Sequence, residues 1–293
     1  MDREIKLLFA TNRNCLSNSN GLSFGHDVTN SIHFGYVDSN RVRHLLDAPS
    51  FFGRIQATLN VGGDILNFIH GYNADFDEAL RRGEEIVRLY GDDVVDHKRD
   101  VVVLSWPSIG ALKQYEQDFK NAQASGILAT VLESQLSLPS AENAIHLSSQ
   151  SFGNVALKAI ALRLNASRAK LAEVIMTAPT LPESAFSDAD QLGRLPSMAK
   201  RITVYFNRSD FGQIFQPLLN ANVKMAQRGP IRRGLPENVV VVSVAKVAPL
   251  RHSYYVRSNK VIADINAALE GEPAGSPALN RRYIPRKKHF KLI

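Results

Sequence analysis

A serine with small neighbours lies near the middle of the chain, at a predicted turn between a strand and a helix. The sequence there is Ser149-Gln150-Ser151-Phe152-Gly153. Small residues two positions before and two positions after Ser151 allow the backbone to turn sharply, which leaves the central hydroxyl exposed. The pattern therefore predicts Ser151 as a nucleophile, and the alternative interpretation is a Ser/Gly turn without chemistry.

A second candidate element is the segment His70-Gly71-Tyr72-Asn73, which follows another predicted strand. Gly71 lets the backbone approach a ligand closely, so the amide N–H of Tyr72 can pair with the N–H of Phe152 around a developing oxyanion. The alternative is a tight turn that only joins a strand to a helix. The candidates for the substrate pocket are His70, Gly71, Asn73 and Trp106.

A base and an acid are needed next, because a serine hydroxyl is a poor nucleophile until a neighbouring base takes its proton. Among eight histidines, His252 is the best placed, in a loop after a predicted strand. His146 lies inside a predicted strand and is interpreted as structural. Asp210 follows a strand as well and would orient the imidazole. If Asp210 only forms a surface ion pair, Asp188 or Asp190 takes its place.

The elements that would position these residues alternate along the chain. Short apolar runs separated by segments of helical periodicity predict a mainly parallel sheet with helices on both faces, with an antiparallel pair of early strands. In such a sheet, ligands bind at the carboxyl ends of the strands, where the candidates above lie. The predicted strands are residues 6–10, 32–37, 65–69, 101–106, 144–148, 174–177, 202–206 and 239–244. The predicted helices are residues 76–90, 113–138, 154–165 and 258–269.

The charge of the chain is concentrated at its end. The 293 residues carry a net charge of +7, and six Lys and Arg without any acid lie in residues 280–293, so subtracting six leaves +1 for the rest. We expect one domain over residues 1–270 and a basic C-terminal arm over residues 271–293. The arm is either a solvated or packed tail, or a contact through residues 280–293 for an anionic surface or a neighbouring subunit. The nearly neutral body, without a nucleic-acid motif, argues against a nucleic-acid partner.

Several other classes of protein are excluded by composition and spacing. The single cysteine, Cys15, excludes an intramolecular disulfide and a Cys-rich metal site. The histidines are scattered and no glycine-rich phosphate loop occurs, so we expect neither a metal nor a cofactor. No apolar run reaches the roughly 18–20 residues that span a bilayer, and we expect a soluble, cytoplasmic protein without a transmembrane segment.

Together these residues resemble the α/β-hydrolase superfamily, and within it a branch of bacterial esterase- and lipase-like hydrolases of unknown function. The chain order Ser151, Asp210, His252 is the order that this fold uses. The other matching residues are Phe9-Ala10-Thr11-Asn12-Arg13, Phe34-Gly35, Phe68-Ile69-His70-Gly71-Tyr72-Asn73, Ser105-Trp106-Pro107-Ser108, Gly110, Tyr115, Asp118, Ile145-His146-Leu147, Ala178-Pro179 and His252-Ser253-Tyr254-Tyr255.

The resemblance implies an α/β-hydrolase fold with little or no lid and a serine hydrolase that cleaves carboxylic esters. The implied roles are nucleophile for Ser151, acid for Asp210 and base for His252. The implied substrate is a small-molecule or lipid ester, with thioesters and amides as further options. The alternative function is a non-catalytic binding protein on a hydrolase scaffold, which would use the basic arm to contact an anionic partner.

Three positions depart from the pattern of the relatives. Gln150 stands where many relatives have His, Phe152 where Met is common, and Thr180 where Asp is common. We expect Gln150 to alter packing behind the turn without removing a catalytic group. Thr180 either removes a rival for the acid role or indicates a weakened site. Residues 180–200 are too few for a large lid, so any cover would come from residues 211–236.

Overall fold

The computed structural model describes residues 5–16, 22–91, 98–111, 113–139, 144–165, 171–210 and 225–293. The first part of the predicted cover, residues 211–224, lies outside this range. Among the helices that the structure does describe, none combines the length and the apolar character needed to cross a membrane.

Eleven strands of the described chain form one mixed sheet, in the order β10-β11-β9-β8-β7-β6-β4-β5-β1-β2-β3. The pairs β1–β2, β2–β3 and β10–β11 are antiparallel, and the other neighbours are parallel. The strands are β1 (Ile5–Cys15), β2 (Phe24–Asp38), β3 (Arg43–Leu46), β4 (Asp64–Ile69), β5 (Arg99–Ser105), β6 (Ile145–Gln150), β7 (Leu171–Thr177), β8 (Ala199–Phe206), β9 (Val239–Ser243), β10 (Arg281–Ile284) and β11 (His289–Leu292). The predicted fold class, a mainly parallel sheet with antiparallel early strands, is confirmed.

Helices connect the parallel strands and cover both faces of the sheet. The longest of them, α2, begins where the side chain of Asp75 accepts the N–H of Glu78 at 2.8 Å. The helices are α1 (Ala48–Asn60), α2 (Phe76–Tyr90), α3 (Tyr115–Ala124), α4 (Ala129–Leu136), α5 (Gly153–Arg163), α6 (Leu195–Met198), α7 (Met225–Arg228), α8 (Tyr254–Arg257) and α9 (Asn259–Leu269).

The sheet separates two hydrophobic cores. Along β4, Ile65 and Ile69 face the core under α1, α4 and α5, whereas Leu66 and Phe68 face the core under α2 and α9. Successive residues of a strand point to opposite faces, so a strand that is covered on both sides must be apolar at nearly every position. This requirement explains the continuous apolar runs that made the central strands recognisable in the sequence.

Several predicted elements differ from the structure in extent, and the longest predicted helix differs most. The single helix expected over residues 113–138 is two helices, α3 and α4, joined by a 3-10 turn at Ser125–Leu128. Gly126 in this turn packs against α5 so closely that an added Cβ would lie 2.8 Å from the carbonyl oxygen of Ala159. The close approach of the two backbones explains why the helix is interrupted here.

The segment that the sequence analysis separated as a basic arm contributes the hairpin of β10 and β11 to the same sheet. Arg281, at its start, is fully buried and forms an ion pair with Asp264 of α9, with 2.7 Å between Nη2 and Oδ2. One of the six positive charges of this segment is therefore neutralised within the fold. Strand β3 is the outermost strand at the other side of the sheet, and helix α1 covers the core that α4 and α5 also cover. The apolar pattern predicted neither of these two elements.

Candidate active site

Ser151 lies in a strained turn between β6 and α5. Its φ angle is +51°, in the left-handed region that a residue with a side chain rarely adopts. The backbone is held there by its own N–H, which donates to Thr177 of β7 at 3.0 Å. The side chain of Asn154 donates to the carbonyl oxygens of Ser151 and Thr177 at 3.1 and 3.2 Å. This strand, turn and helix have the geometry of a nucleophile elbow.

The start of α5 packs directly against the end of β4. A Cβ added to Gly153 would lie 2.5 Å from the carbonyl oxygen of Ile69 and 2.7 Å from that of His70. Only glycine allows this approach, which brings the elbow beside the segment that follows β4. The rings of Tyr72 and Phe152 are in contact, with 5.4 Å between their centroids. The two residues predicted for the oxyanion hole are therefore neighbours.

His252 and Asp210 meet at the same edge of the sheet. Nδ1 of His252 lies 2.8 Å from Oδ2 of Asp210. The Asp210 side chain is fully buried, whereas a quarter of the His252 side chain is exposed. A carboxylate can only accept a hydrogen bond, so Nδ1 carries the proton and donates a hydrogen bond to Asp210. The imidazole is thereby fixed in one orientation with Nε2 directed away from the acid.

Asn207 connects the loops that carry the acid and the base. Its side-chain nitrogen donates to the carbonyl oxygens of Ala248 and Arg251, at 2.8 and 3.0 Å. Its side-chain oxygen accepts the N–H of Ser209 at 3.1 Å. These bonds tie the loop after β8 to the loop after β9. The sequence analysis missed this role, although a polar residue directly after a predicted strand was a visible signal.

Nε2 of His252 has a partner that the sequence did not indicate. The side-chain nitrogen of Gln150 lies 3.0 Å from it. Gln150, expected only to alter packing behind the turn, thus contacts the candidate base itself. The Ser151 hydroxyl forms its hydrogen bond with Thr180, with 3.5 Å between the two oxygens. Within the described part of the chain, no hydrogen bond joins Ser151 to His252.

The segment from His70 to Asn73 approaches the elbow closely. A Cβ on Gly71 would collide with Oε1 of Gln150 and would lie 3.2 Å from the backbone oxygen of Gln150. Asn73 has a φ angle of +56°, which marks a sharp change of chain direction. Gly71 therefore leaves room for the Gln150 side chain, whereas the sequence predicted that it lets the backbone approach a ligand.

A buried carboxylate holds the neighbouring loops. Asp118 accepts the hydroxyl of Ser108 at 2.6 Å and the N–H of Ile109 at 2.8 Å. The same Ser108 oxygen accepts the N–H of Ala74 at 3.1 Å. Burial raises the pKa of Asp118, and the hydrogen bonds from Ser108 and Ile109 oppose that effect. Through Ser108 and Ala74, Asp118 thus supports the segment His70-Gly71-Tyr72-Asn73, which is called the oxyanion segment below after the role predicted for it.

Residues 54–271 match a family described as alpha/beta hydrolase of unknown function (DUF900). The chain belongs to this family. The match covers well over half of the chain and includes the elbow and the loops of the acid and the base, so the resemblance inferred from the sequence is confirmed. No curated protein matches the chain.

Two pocket candidates of this alpha/beta hydrolase lie fully buried. His70 and Trp106 stack with 5.2 Å between their ring centroids, and the Trp106 indole donates to the His70 carbonyl oxygen at 2.7 Å. Nδ1 of His70 donates to the carbonyl oxygen of Gly71 at 3.0 Å. Burial lowers the pKa of His70 well below its ordinary value, so the ring is neutral. Through these hydrogen bonds, both side chains hold the backbone of the oxyanion segment.

Arg13 near the end of β1 is fully buried, and no individual role was predicted for it. Its Nη1 donates to the carbonyl oxygens of Gly25 and Ser108, and its Nη2 donates to that of Ala74 at 2.9 Å. Its Nε donates to the hydroxyl of Ser105 at 3.0 Å, and that hydroxyl also contacts Nε2 of His70. Burial lowers the pKa of Arg13 to about 9. This side chain links β1 to the oxyanion segment.

Tyr254 supports the turn that carries Thr180. Its hydroxyl accepts the N–H of Ala178 at 2.6 Å and donates to the carbonyl oxygen of Tyr205 at 2.8 Å. Ala178 has a φ angle of +45°, so this contact stabilises another strained position at the carboxyl edge. Among the residues that the structure describes, no group of three or more His, Cys, Asp and Glu side chains could hold a metal ion.

Proposed function

We propose that this alpha/beta hydrolase is a serine hydrolase that cleaves carboxylic esters through an acyl-enzyme on Ser151. The observation that carries the proposal is the 2.8 Å hydrogen bond between His252 and Asp210, at the edge where Ser151 occupies its strained turn. A carboxylate on Nδ1 leaves the lone pair of Nε2 for the nucleophile's proton and stabilises the imidazolium that forms.

Acylation begins when the Ser151 hydroxyl turns from Thr180 towards His252. The hydroxyl gives its proton to Nε2, and its oxygen forms a bond to the ester carbonyl carbon. The carbonyl oxygen becomes an oxyanion that accepts the N–H groups of Tyr72 and Phe152, and one such donor stabilises the transition state by about 3 kcal/mol. The bond to the alcohol oxygen then breaks as the imidazolium returns the proton to that oxygen.

Deacylation repeats these steps with water as the nucleophile. Water gives a proton to Nε2 of His252 and attacks the acyl carbon. The bond between this carbon and Ser151 breaks, and the serine oxygen takes the proton back from the imidazolium. The products are a carboxylic acid and an alcohol, and the enzyme is restored.

The surroundings of the elbow support an ester with an apolar acyl group. Phe152 packs against three other aromatic rings, with centroid distances of 5.4 Å to Tyr72, 4.5 Å to Tyr115 and 5.9 Å to Phe119. Tyr72, Tyr115 and Phe119 are only partly buried. An apolar surface beside the oxyanion segment suits aliphatic or lipid acyl chains, while thioesters and amides would follow the same steps.

The proposal is tested by measuring the turnover of p-nitrophenyl esters of increasing acyl length by the wild type, Ser151→Ala and Ser149→Ala. Ser149 is the matched control, because its buried hydroxyl donates to Asn154 and takes no part in the steps above. We expect Ser151→Ala to abolish turnover and Ser149→Ala to retain it. Absence of turnover by the wild type with every ester, or full turnover by Ser151→Ala, would overturn the proposal.

A second proposal concerns the hairpin of β10 and β11. Three consecutive basic residues, Arg286, Lys287 and Lys288, are exposed in the turn between its two strands. We propose that the hairpin binds an anionic surface such as a bilayer of acidic phospholipids. Its exposed basic side chains are Arg282, Arg286, Lys287 and Lys288.

Sedimentation with vesicles tests this binding. The triple variant Arg286→Glu, Lys287→Glu and Lys288→Glu should lose binding to phosphatidylglycerol vesicles, while ester turnover stays at the wild-type level. Arg281 is left intact because its ion pair with Asp264 stabilises the fold. Equal binding to phosphatidylcholine vesicles, or undiminished binding by the variant, contradicts the proposal.

A further inference from the structure

Gln150, the last residue of β6, lies between the oxyanion segment and the candidate base. Its side-chain nitrogen is 3.0 Å from Nε2 of His252, and its side-chain oxygen lies directly against Gly71. The residue is 3% exposed, so its carboxamide is enclosed by these neighbours. The position is one residue before the nucleophile, yet the side chain points to the base.

The chemistry of the two groups determines which of them donates the hydrogen bond. A carboxamide nitrogen has N–H donors and no lone pair, so Gln150 donates and Nε2 of His252 accepts. The other ring nitrogen donates to Asp210. A neutral imidazole has one donor and one acceptor, and both are therefore engaged.

The same lone pair must accept the proton of Ser151 in the proposed reaction. Gln150 and Ser151 consequently compete for one acceptor. In the structure Gln150 occupies it, and the Ser151 hydroxyl instead pairs with Thr180 at 3.5 Å. Both observations describe one resting arrangement in which the base is in the correct tautomer but not in contact with the nucleophile.

We propose that Gln150 is a positioning residue that holds His252 in this resting arrangement, and that Ser151 becomes nucleophilic only when the Gln150 carboxamide turns away from Nε2. The inference rests on the proposed serine mechanism. It assigns a function to the position where many relatives of the superfamily have histidine, and it explains why the residue before the nucleophile is polar although it is buried. Gly71 has no Cβ, which leaves the space that the carboxamide occupies.

The test measures the second-order rate constant for labelling by a fluorophosphonate, in which the Ser151 oxygen displaces fluoride from phosphorus and its proton passes to His252. Gln150→Met retains the length of the side chain but has no donor. We expect Gln150→Met to label about five-fold faster, equivalent to the net worth of one hydrogen bond, about 1 kcal/mol. Gln150→Asn, which keeps the amide but is one methylene too short to reach His252, should also label faster. Labelling of Gln150→Met at or below the wild-type rate, with the fold intact by circular dichroism, would overturn the inference.

The controls separate this inference from the proposed function. Ser151→Ala must show no labelling. If the wild type is not labelled either, the proposed function itself fails, whereas a labelled wild type with a slower Gln150→Met removes only the role of Gln150. A measurement on the unmodified protein covers the case in which the variants do not fold. The ¹⁵N resonance of His252 Nε2 in the neutral ring should show an accepted hydrogen bond, and the shift of a free lone pair would contradict the inference.

Discussion

The parallel strands begin at one side of the sheet (the amino edge) and end at the other (the carboxyl edge). The charged residues at these two edges have different partners. At the amino edge, buried charges neutralise one another in fixed pairs. Arg99 is fully buried and donates to Asp64 at 2.6 and 2.7 Å and to Glu270 at 2.8 Å. Arg201 and Glu173 form a second pair at 2.5 Å. These ion pairs stabilise the structure, and no step of the proposed reaction uses them.

At the carboxyl edge, a buried acid holds an imidazole ring that is partly exposed. Asp210 holds the imidazole of His252, and a quarter of that side chain is exposed. Residues with positive φ angles also cluster here, at Asn73, Ser151 and Ala178. Strained backbone positions and a hydrogen-bonded acid and imidazole occur together here, and this combination is typical of functional sites.

Cavity volume alone does not locate the candidate active site of this molecule. A cleft of about 450 Å³ opens at the amino edge, far along the strands from Ser151, with Asp64, His146, Glu173 and Arg201 in its walls. The carboxylates of these walls are already paired with arginines. The residues of the proposed reaction, Ser151, Asp210 and His252, lie instead at the opposite edge.

The largest expected effect distinguishes two histidines, one at each edge. His252→Ala should lower kcat/KM by about 10⁴-fold, because the proposed base is lost, while the protein remains folded. His146→Ala is the matched control. It removes a buried ring 3.4 Å from Asp64 and should lower stability while turnover stays near wild type. Ester kinetics and urea unfolding of both variants test this prediction. An equal loss of kcat/KM in the two variants would contradict the proposed difference between the two edges.

The next effect concerns the buried ion pairs of the amino edge. Asp64→Asn should lower the free energy of unfolding by about 3 kcal/mol, because the variant leaves the buried Arg99 with less compensation. Urea unfolding at neutral pH measures the change. Turnover by the folded variant should match the wild type, and a parallel loss of kcat would show that the two edges are coupled.

A smaller effect compares two asparagines that make the same kind of contact at opposite edges. Asn207→Ala should reduce turnover about ten-fold, equivalent to about 1.4 kcal/mol, because the loops of the acid and base lose their connection. Asn238 also donates to two carbonyl oxygens, those of Pro196 and Ala199, at 2.8 and 3.0 Å. Asn238→Ala should therefore destabilise the fold to a similar extent and spare turnover. If both variants lose turnover equally, Asn207 has no special role.

The smallest effect is a dependence of stability on pH. Burial by itself raises the pKa of Asp64, but hydrogen bonds from His146 and Arg99 hold it well below its ordinary range. A carboxyl whose pKa is lower in the folded chain stabilises it fully above the unfolded value of about 3.9, and this contribution is lost as the pH falls below that value. The difference in unfolding free energy between the wild type and Asp64→Asn should hold from neutral pH into mild acid and narrow in stronger acid. A difference in unfolding free energy that stays constant into strong acid would contradict the lowered pKa of Asp64.

Much of the fold was predictable because the central strands are covered on both sides and must be apolar. The helix predicted over residues 76–90 has the same bounds in the structure, since its apolar face and its Asp75 cap are both visible in the sequence. The hairpin of β10 and β11 was not predicted, because its charged residues interrupt the apolar pattern by which strands were recognised. Arg281 is compatible with a strand only because Asp264 neutralises it, and that partner becomes apparent only in three dimensions.

The candidate site shows the same division. Ser151, Asp210 and His252 could be proposed from strand ends and chain order. Arg13 and Gln150 could not, because their roles depend on which way a side chain points at the end of a strand. A buried arginine that donates to three backbone carbonyl oxygens leaves no pattern in the sequence.

The central claim is most directly tested by locating the adduct of an active-site-directed fluorophosphonate by mass spectrometry. The proposed mechanism predicts one adduct, on the peptide that contains Ser151, and its loss in both Ser151→Ala and His252→Ala. An adduct on a different serine, or labelling that persists without His252, would contradict the assignment of nucleophile and base.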